Sequence, residues 1–426
     1  MSKKKPKGTS SFSELNDFLN IIAPEGEMID IHPMAKIDEW ISTGSYILNA
    51  ALSGSIFRGM PNRRSLGLAG EESTAKTYIA LSILRNAINN HGYYGVYMDS
   101  EGSLDRDFIA RLGVDTSKVR LQPVNTIEEV NYIASNIIKQ FETDEKEGKK
   151  SPKVFVILDS LGNLSSKKEA TDTVEGNQKR DMTKQQSIRQ LFRVNGMKFA
   201  KYGIPFIVNA HVYERIGSFF PGKEVAGGGG LRYNVSILFM LTKKKLDDKE
   251  SEEKVKKQNI NAVRVGVTIK VTPIKQRFAK PIIVELHIPF YKKPNPFVGL
   301  EKFVSWESCG VMRGKALKQK QYDKLTPIEQ KKCRLFEKEE ETLYAFPKDT
   351  ARTLVCEHIK GEVPLNELFT EKVFTEEVLK KLDENSIKPA FQLPSIESLD
   401  DLVEIQNEIE MPTQIEDDEE NKQKIS

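Results

Sequence analysis

The sequence predicts an α/β protein with a mainly parallel, twisted sheet over residues 40–293. A short N-terminal helical segment (1–39) precedes it, and a smaller C-terminal α+β unit (294–394) and an acidic tail (395–426) follow. Three observations carry this. Apolar runs alternate with helical periodicity from about residue 40 to 290, the pattern of strands joined by crossover helices. The turn Gly70–Thr77 falls between an apolar run and a helical one. The stretch Tyr291-Lys292-Lys293-Pro294-Asn295-Pro296 ends the alternation, because two prolines stop regular structure.

Taken in order, Phe12, Leu15, Leu19 and Ile22 recur at helical spacing between a candidate N-cap at Ser11 and a stop at Pro24, which predicts an amphipathic helix for subunit contact, with packing on its own domain as the alternative. Leu66–Ala69 reads as a strand and Lys76–Asn89 as the helix after it. Tyr94–Met98 is a strand, Ile127–Phe141 a helix, and Glu142–Lys150 a charged loop. Val154–Leu158 is a strand, Met182–Lys201 a helix and Phe206–Val208 a strand. Val235–Leu241 follows, with a charge-dense hairpin tip at Lys243–Lys257. Val263–Thr272 and Pro281–Ile288 close the sheet as antiparallel strands.

At 426 residues, with 38% apolar and 29% charged, the chain has material for a large core. It has no run of 18 apolar residues, and its basic N-terminus lacks the apolar stretch of a secretory signal. Three distant cysteines predict a reducing compartment, hence the cytoplasm. Cys356 and His358 lack a second ligand pair at metal spacing and read as structural. The net charge of +3 conceals a split: residues 397–426 hold eleven Asp or Glu against two Lys. A basic body with an acidic tail fits a polyanion ligand and a tail that competes with it. A solvated spacer is the equal alternative.

Binding phosphates takes converging backbone N–H groups, a helix N-terminus behind them, a lysine for charge and a hydroxyl for Mg²⁺. Gly70, Lys76 and Thr77 stand at that spacing, with Glu71, Glu72, Ser73, Thr74 and Ala75 forming the loop. Ala75 occupies a position usually held by glycine. If it needs positive φ, the cost is about 1–2 kcal/mol. Asp159 ends the buried strand Val154–Leu158 and is placed to hold Mg²⁺ through water. Glu101 follows the strand ending at Met98 and Asp99 and is the candidate for activating water. The competing role for Glu101 is as partner to a helix cap. These residues point to ATP binding and hydrolysis.

Several further motifs in the same order resemble RecA-type recombinases, and most of all their phage branch, the UvsX recombinases. They are Asp99-Ser100-Glu101-Gly102-Ser103-Leu104-Asp105, Asp159-Ser160-Leu161-Gly162-Asn163-Leu164 with Ser166-Lys167-Lys168-Glu169, Asp181-Met182-Thr183 with Leu191-Phe192-Arg193, and Ala226-Gly227-Gly228-Gly229. Ser42-Thr43-Gly44 and Gly59-Met60-Pro61 also match, and the resemblance runs from about 42 to 315. It implies a RecA-like P-loop ATPase core. It further implies a protein that polymerises with ATP on single-stranded DNA, pairs it with homologous duplex and exchanges strands. Partners would be further copies in a helical filament, a single-strand binding protein and a loading mediator, in the host cytoplasm if the gene is a phage's. The resemblance places Asp105 and Phe108 near adenine and His211 where the γ-phosphate is sensed. It makes Lys275 and Arg277 a basic pair that reaches a neighbour's ATP; Pro273-Ile274 departs from the family pattern there.

By the same resemblance two loops carry DNA. Ser165–Arg180 offers Lys167, Lys168, Lys179 and Arg180. Val212–Leu231 offers Tyr213, Arg215, Phe219, Phe220, Lys223 and the run Gly227–Gly230, including Gly228, with Arg232 just beyond. Cations bind phosphates without reading sequence, and aromatics stack on bases. For each single Lys or Arg, a solvated surface charge is the competing reading. Two rival functions stay open: a hexameric helicase on the same core, and a weakly hydrolysing mediator that coats DNA.

Overall fold

The computed structural model describes residues 36–102, 104–175, 183–214, 223–243, 266–289, 293–338, 341–359 and 361–394. The expected N-terminal helix, most of the hairpin tip, the acidic tail, and Lys179, Arg180, Arg215, Phe219 and Phe220 lie outside them.

A short pair, β1 (Trp40–Ile41) and β2 (Met60–Pro61), brackets helix α1 (Tyr46–Ser53). Then come β3 (Ser65–Gly70), α2 (Lys76–His91), β4 (Tyr94–Asp99), α3 (Arg106–Arg111) and β5 (Val119–Pro123). Helix α4 (Ile127–Lys146), β6 (Val154–Asp159), α5 (Lys167–Val174), α6 (Thr183–Lys201) and β7 (Phe206–Ala210) follow. The core ends with β8 (Val212–Glu214), β9 (Lys223–Val225), α7 (Gly228–Asn234), β10 (Ile237–Lys243), β11 (Gly266–Lys275) and β12 (Val284–Pro289).

Eight strands form one sheet in the order β12-β11-β10-β3-β7-β6-β4-β5. The six from β10 to β5 run parallel, and β11 and β12 add antiparallel at one edge. The expected α/β class and the antiparallel closure are therefore present. One sheet face buries Leu66, Leu68, Ile157 and Phe239 against α1 and α2. The other buries Val156, Leu158, Val208 and Leu238 against α4 and α6. Strands covered on both faces read as continuous apolar runs, which is why they were legible.

Two elements differ from expectation. Helix α4 continues to Lys146, past Phe141. Thr126 and Glu129 form a capping box at its start, and Glu142 and Glu145 pair with Lys198 and Lys201 of α6 at 2.7 and 3.0 Å. The charge density that suggested a loop is the contact line between two helices. The segment expected as the first loop contains α5. Ser166 Oγ accepts from the Glu169 N–H at 2.9 Å while the Glu169 carboxylate accepts from the Ser166 N–H at 3.4 Å, a reciprocal cap.

Residues 311–364 form a five-stranded antiparallel sheet: β13 (Val311–Lys318), β14 (Arg334–Lys338), β15 (Glu341–Pro347), β16 (Thr353–Cys356) and β17 (Glu362–Pro364), in the order β14-β15-β13-β16-β17. Val311, Leu354, Phe374, Leu382 and Phe391 belong to the same apolar cluster as α1 and α2. Asp383, almost wholly buried, accepts from Ser55 Oγ at 2.7 Å and from the Ile56 N–H at 2.8 Å.

Candidate functional site

Parallel strands deliver their carboxyl ends to one edge of a sheet, and the crevice there is where such folds bind ligands. Here the register sets Asp99 beside Asp159, and Leu68 of β3 beside Asn209 of β7. Gly70, Glu101, Asp159 and His211 therefore emerge on the same edge.

Gly70 ends β3. A methyl group on it would lie 2.4 Å from Thr74 Oγ1 and 2.7 Å from the Leu241 carbonyl oxygen, so only glycine fits. Ser73 and Ala75 have φ of 57° and 66°. Ala75 thus adopts the left-handed backbone expected of a glycine, at about 1–2 kcal/mol. Glu71, Glu72 and Ser73 are exposed at the crest of the loop, and the buried Thr74 donates to the Glu71 carbonyl at 2.8 Å. The Lys76 ammonium is buried and donates to the carbonyls of Gly70 and Glu71 at 2.9 and 2.8 Å. Burial pushes its pKa down, against the opposing pull of Asp159, Glu101 and Glu72.

Thr77 opens α2, and its hydroxyl donates to Asp159 Oδ2 at 2.6 Å. Tyr97 donates to the same oxygen at 2.5 Å. Asp159 Oδ1 is buried with no hydrogen-bond partner. The Asp159–Ser160 peptide is cis, and Ser100 clamps it: Ser100 N–H donates to the Asp159 carbonyl at 2.8 Å, and its Oγ bonds both Ser160 N–H and Ser160 carbonyl. An orphaned carboxylate oxygen beside a hydroxyl fits a hydrated Mg²⁺, which takes few protein ligands. Among the described residues no group of three or more His, Cys, Asp or Glu could hold a metal ion. Tyr97 was not anticipated. In sequence it is one more aromatic in an apolar strand, and only its place two residues before Asp99, on the same face, hinted at it.

Asp99 shapes the next turn by accepting from the N–H groups of Glu101 and Gly102 at 2.8 and 3.0 Å. Glu101 is thereby turned toward His211, whose Nε2 lies 2.9 Å from its Oε1. Both are partly exposed. Asp105 caps α3 by accepting from the Phe108 N–H at 2.6 Å, and Phe108 packs half-buried on the core.

Lys275 and Arg277 stand elsewhere. Lys275 pairs with Leu238, which lies beside Gly67, three residues before Gly70. At roughly 3.3 Å per residue that is about 10 Å back along the sheet, toward the amino ends of the parallel strands. The Lys275 ammonium donates to the carbonyls of Arg232 and Tyr233 at 3.2 and 2.8 Å, and burial with Arg277 close by pushes its pKa down. Arg277 is exposed.

Of the DNA candidates, Lys167 and Lys168 are exposed on α5, Tyr213 is exposed on β8, and Arg232 is exposed on α7. Strands β8 and β9 pair from Val212–Val225 to Glu214–Lys223, giving the second loop a hairpin stem. The glycine run forms the packed root of that loop. Gly227 has φ of 86°, and a methyl there would lie 2.6 Å from Leu161 Cδ2; Gly228 begins α7; a methyl on Gly230 would lie 2.9 Å from Ile188 Cγ2. Gly162, three residues past Asp159, packs against the His211 ring and the Tyr213 hydroxyl. The turn that follows Asp159 is thus packed against the loop stem. Among the described residues no helix is long and apolar enough to cross a membrane.

Residues 26–292 match the family model described as the RecA N-terminal domain. The "Recombination and repair protein" of Enterobacteria phage T4 is 31% identical over 204 residues, 47% of this chain and 50% of that protein, so the match spans about half of the phage relative. "Protein RecA" of Thermus thermophilus is 27% identical over 344 residues, covering 76% of this chain and 91% of the relative. That of Mycoplasma genitalium is 28% identical over 291 residues, 67% and 75%.

Proposed function

The chain belongs to the RecA family, and from that premise we propose that it is an ATP-dependent homologous recombinase of the phage type. It assembles on single-stranded DNA, pairs that strand with homologous duplex, exchanges strands and hydrolyses ATP in response to DNA. The observation that carries this reading is the meeting of Gly70–Thr77, Asp159, Glu101 and His211 at one sheet edge, directly above the roots of two loops.

Each residue then has a task. The loop N–H groups and Lys76 hold the phosphates. Thr77 and, through water, Asp159 would hold Mg²⁺, which would supply positive charge against the phosphates. Glu101 takes the proton of a water whose oxygen attacks the γ-phosphorus, as the bond to the ADP oxygen breaks. Asp105 and Phe108 border the base. Arg277 and Lys275, on the opposite edge of the sheet, complete the site of an adjoining copy. Lys167, Lys168, Tyr213 and Arg232, with Lys179, Arg180, Arg215, Phe219, Phe220 and Lys223, supply DNA contacts. A single-strand binding protein and a loading mediator are its expected partners.

His211 couples the two ligands, because it touches Glu101 and roots the second loop. Steady-state hydrolysis with and without single-stranded DNA tests the reading, alongside electron microscopy with a slowly hydrolysed ATP analogue. Stimulation and helical filaments are expected; closed rings or unstimulated turnover would sink it. His211→Ala should lose the stimulation while basal turnover persists, and unchanged stimulation would refute the coupling route.

A further inference from the structure

Asp159 is held by an unusual arrangement. Both of its engaged contacts, from Thr77 Oγ1 at 2.6 Å and Tyr97 Oη at 2.5 Å, fall on Oδ2, and Oδ1 is left buried and unpartnered. Thr77 lies on the phosphate-loop helix, whereas Tyr97 comes from the sheet. On the other flank, the register that sets Leu158 beside Val208 brings Asn209 next to Asp159. Asn209 is fully buried, and neither atom of its amide makes a hydrogen bond among the described residues. Tyr97 is therefore the one sheet-borne side chain among them that fixes the carboxylate.

Packing does not explain a tyrosine at this place. Its ring is wholly buried in the cluster that faces α1 and α2, where phenylalanine would fill the same space without burying a hydroxyl. A buried hydroxyl lowers stability unless it is bonded, and this one has a carboxylate.

We propose that Tyr97 is a positioning residue of the ATP site: its hydroxyl pins Asp159 through Oδ2 and so presents Oδ1 to the hydration shell of Mg²⁺. The inference rests on the ATP reading of this site. Groups that orient metal-holding carboxylates typically contribute roughly 10–100-fold to metal affinity or activity. Thr77 shares the load here, so Tyr97 acts at the lower end of that range.

The test is Tyr97→Phe, with ATP binding followed by calorimetry across a Mg²⁺ titration and Mn²⁺ resonance spectra taken in parallel. The half-saturating Mg²⁺ concentration should rise about 10-fold, with turnover recovering at high Mg²⁺. In an Asp159→Asn background the same substitution should shift nothing further, since contacting residues are not additive. Tyr97→4-aminophenylalanine against Tyr97→4-methylphenylalanine, two groups of similar size, separates donation from packing even if Tyr97→Phe folds poorly. The amine should keep the wild-type midpoint and the methyl should lose it. An unmoved midpoint in Tyr97→Phe, an equal further shift on Asp159→Asn, or identical behaviour of the two analogues would overturn the proposal. Wild-type ATP binding that ignores Mg²⁺ would instead overturn the reading of the site itself.

Discussion

If Lys275 and Arg277 complete a neighbour's site, two differently disabled copies should repair one another. Arg277→Ala is the cleaner donor variant, because the Arg277 side chain is exposed and makes no hydrogen bond among the described residues, whereas Lys275 braces the carbonyls that end α7. Lys76→Ala disables the receiving site by removing the buried ammonium. Each alone should be nearly inactive. The register sets Lys275 about 10 Å back from the chain's own phosphate loop, so a functional interface needs an intact loop from one copy and an intact Arg277 from the next. In a random equimolar mixture of head-to-tail copies, about one interface in four has both. Turnover per chain should therefore recover to about a quarter of wild type. The assay is DNA-stimulated phosphate release from each variant and from mixtures at several ratios, with both variants first shown to melt as wild type and to bind single-stranded DNA. A mixture as inactive as its components would refute action across the interface.

Other predictions follow from single contacts. Glu101→Gln keeps the size of the side chain and should lower kcat by roughly 10²–10⁴-fold while leaving ATP affinity near wild type; a kcat within an order of magnitude would remove Glu101 from the chemistry. Gly227→Ala combines left-handed strain with crowding against Leu161 and should destabilise the protein by about 2–4 kcal/mol in urea unfolding; a change under about 0.5 kcal/mol would show that the root of the second loop yields freely. Burial pushes the Cys356 thiol up to about 12 and also raises Cys309 and Cys333. A raised pKa keeps the thiol protonated, so reactivity at Cys356 should grow only as pH climbs toward that value. At about pH 8, below the free thiol range, the half-buried Cys333 should react first with a disulfide reagent, and prompt labelling of Cys356 in the folded protein would contradict its burial.

Much of this was legible before any coordinates, for physical reasons. Two-sided burial writes the centres of strands β3, β6 and β7 as apolar runs. The demand for close backbone approach writes Gly70, and the phosphate charge writes Lys76. A short-range signal lies inside the expected first loop: Ser166 and Glu169 stand at capping-box spacing and cap α5. What could not be read were pairings across strands. Glu101 and His211 are 110 positions apart, and Tyr97 and Asp159 are 62; nothing local marks them as partners. The glycine run at 227–230 is expected to meet DNA, and the tight space against Leu161 and Ile188 gives it a packing role at the loop root as well.

The apolar cluster under α1 and α2 also holds Phe374, Leu382 and Phe391, and Asp383 bonds the distant Ser55 and Ile56. Structures that share one core melt together. Calorimetry should therefore find a single transition spanning the phosphate-loop region and the C-terminal sheet, with equal calorimetric and van't Hoff enthalpies. Nucleotide bound at Gly70–Thr77 would raise the midpoint of the whole unit, since a ligand that favours the native state stabilises everything that unfolds with it. A fragment cut at the Tyr291–Pro296 break would leave part of its core open to water. The seam most visible in the chain is then a poor place to divide the protein.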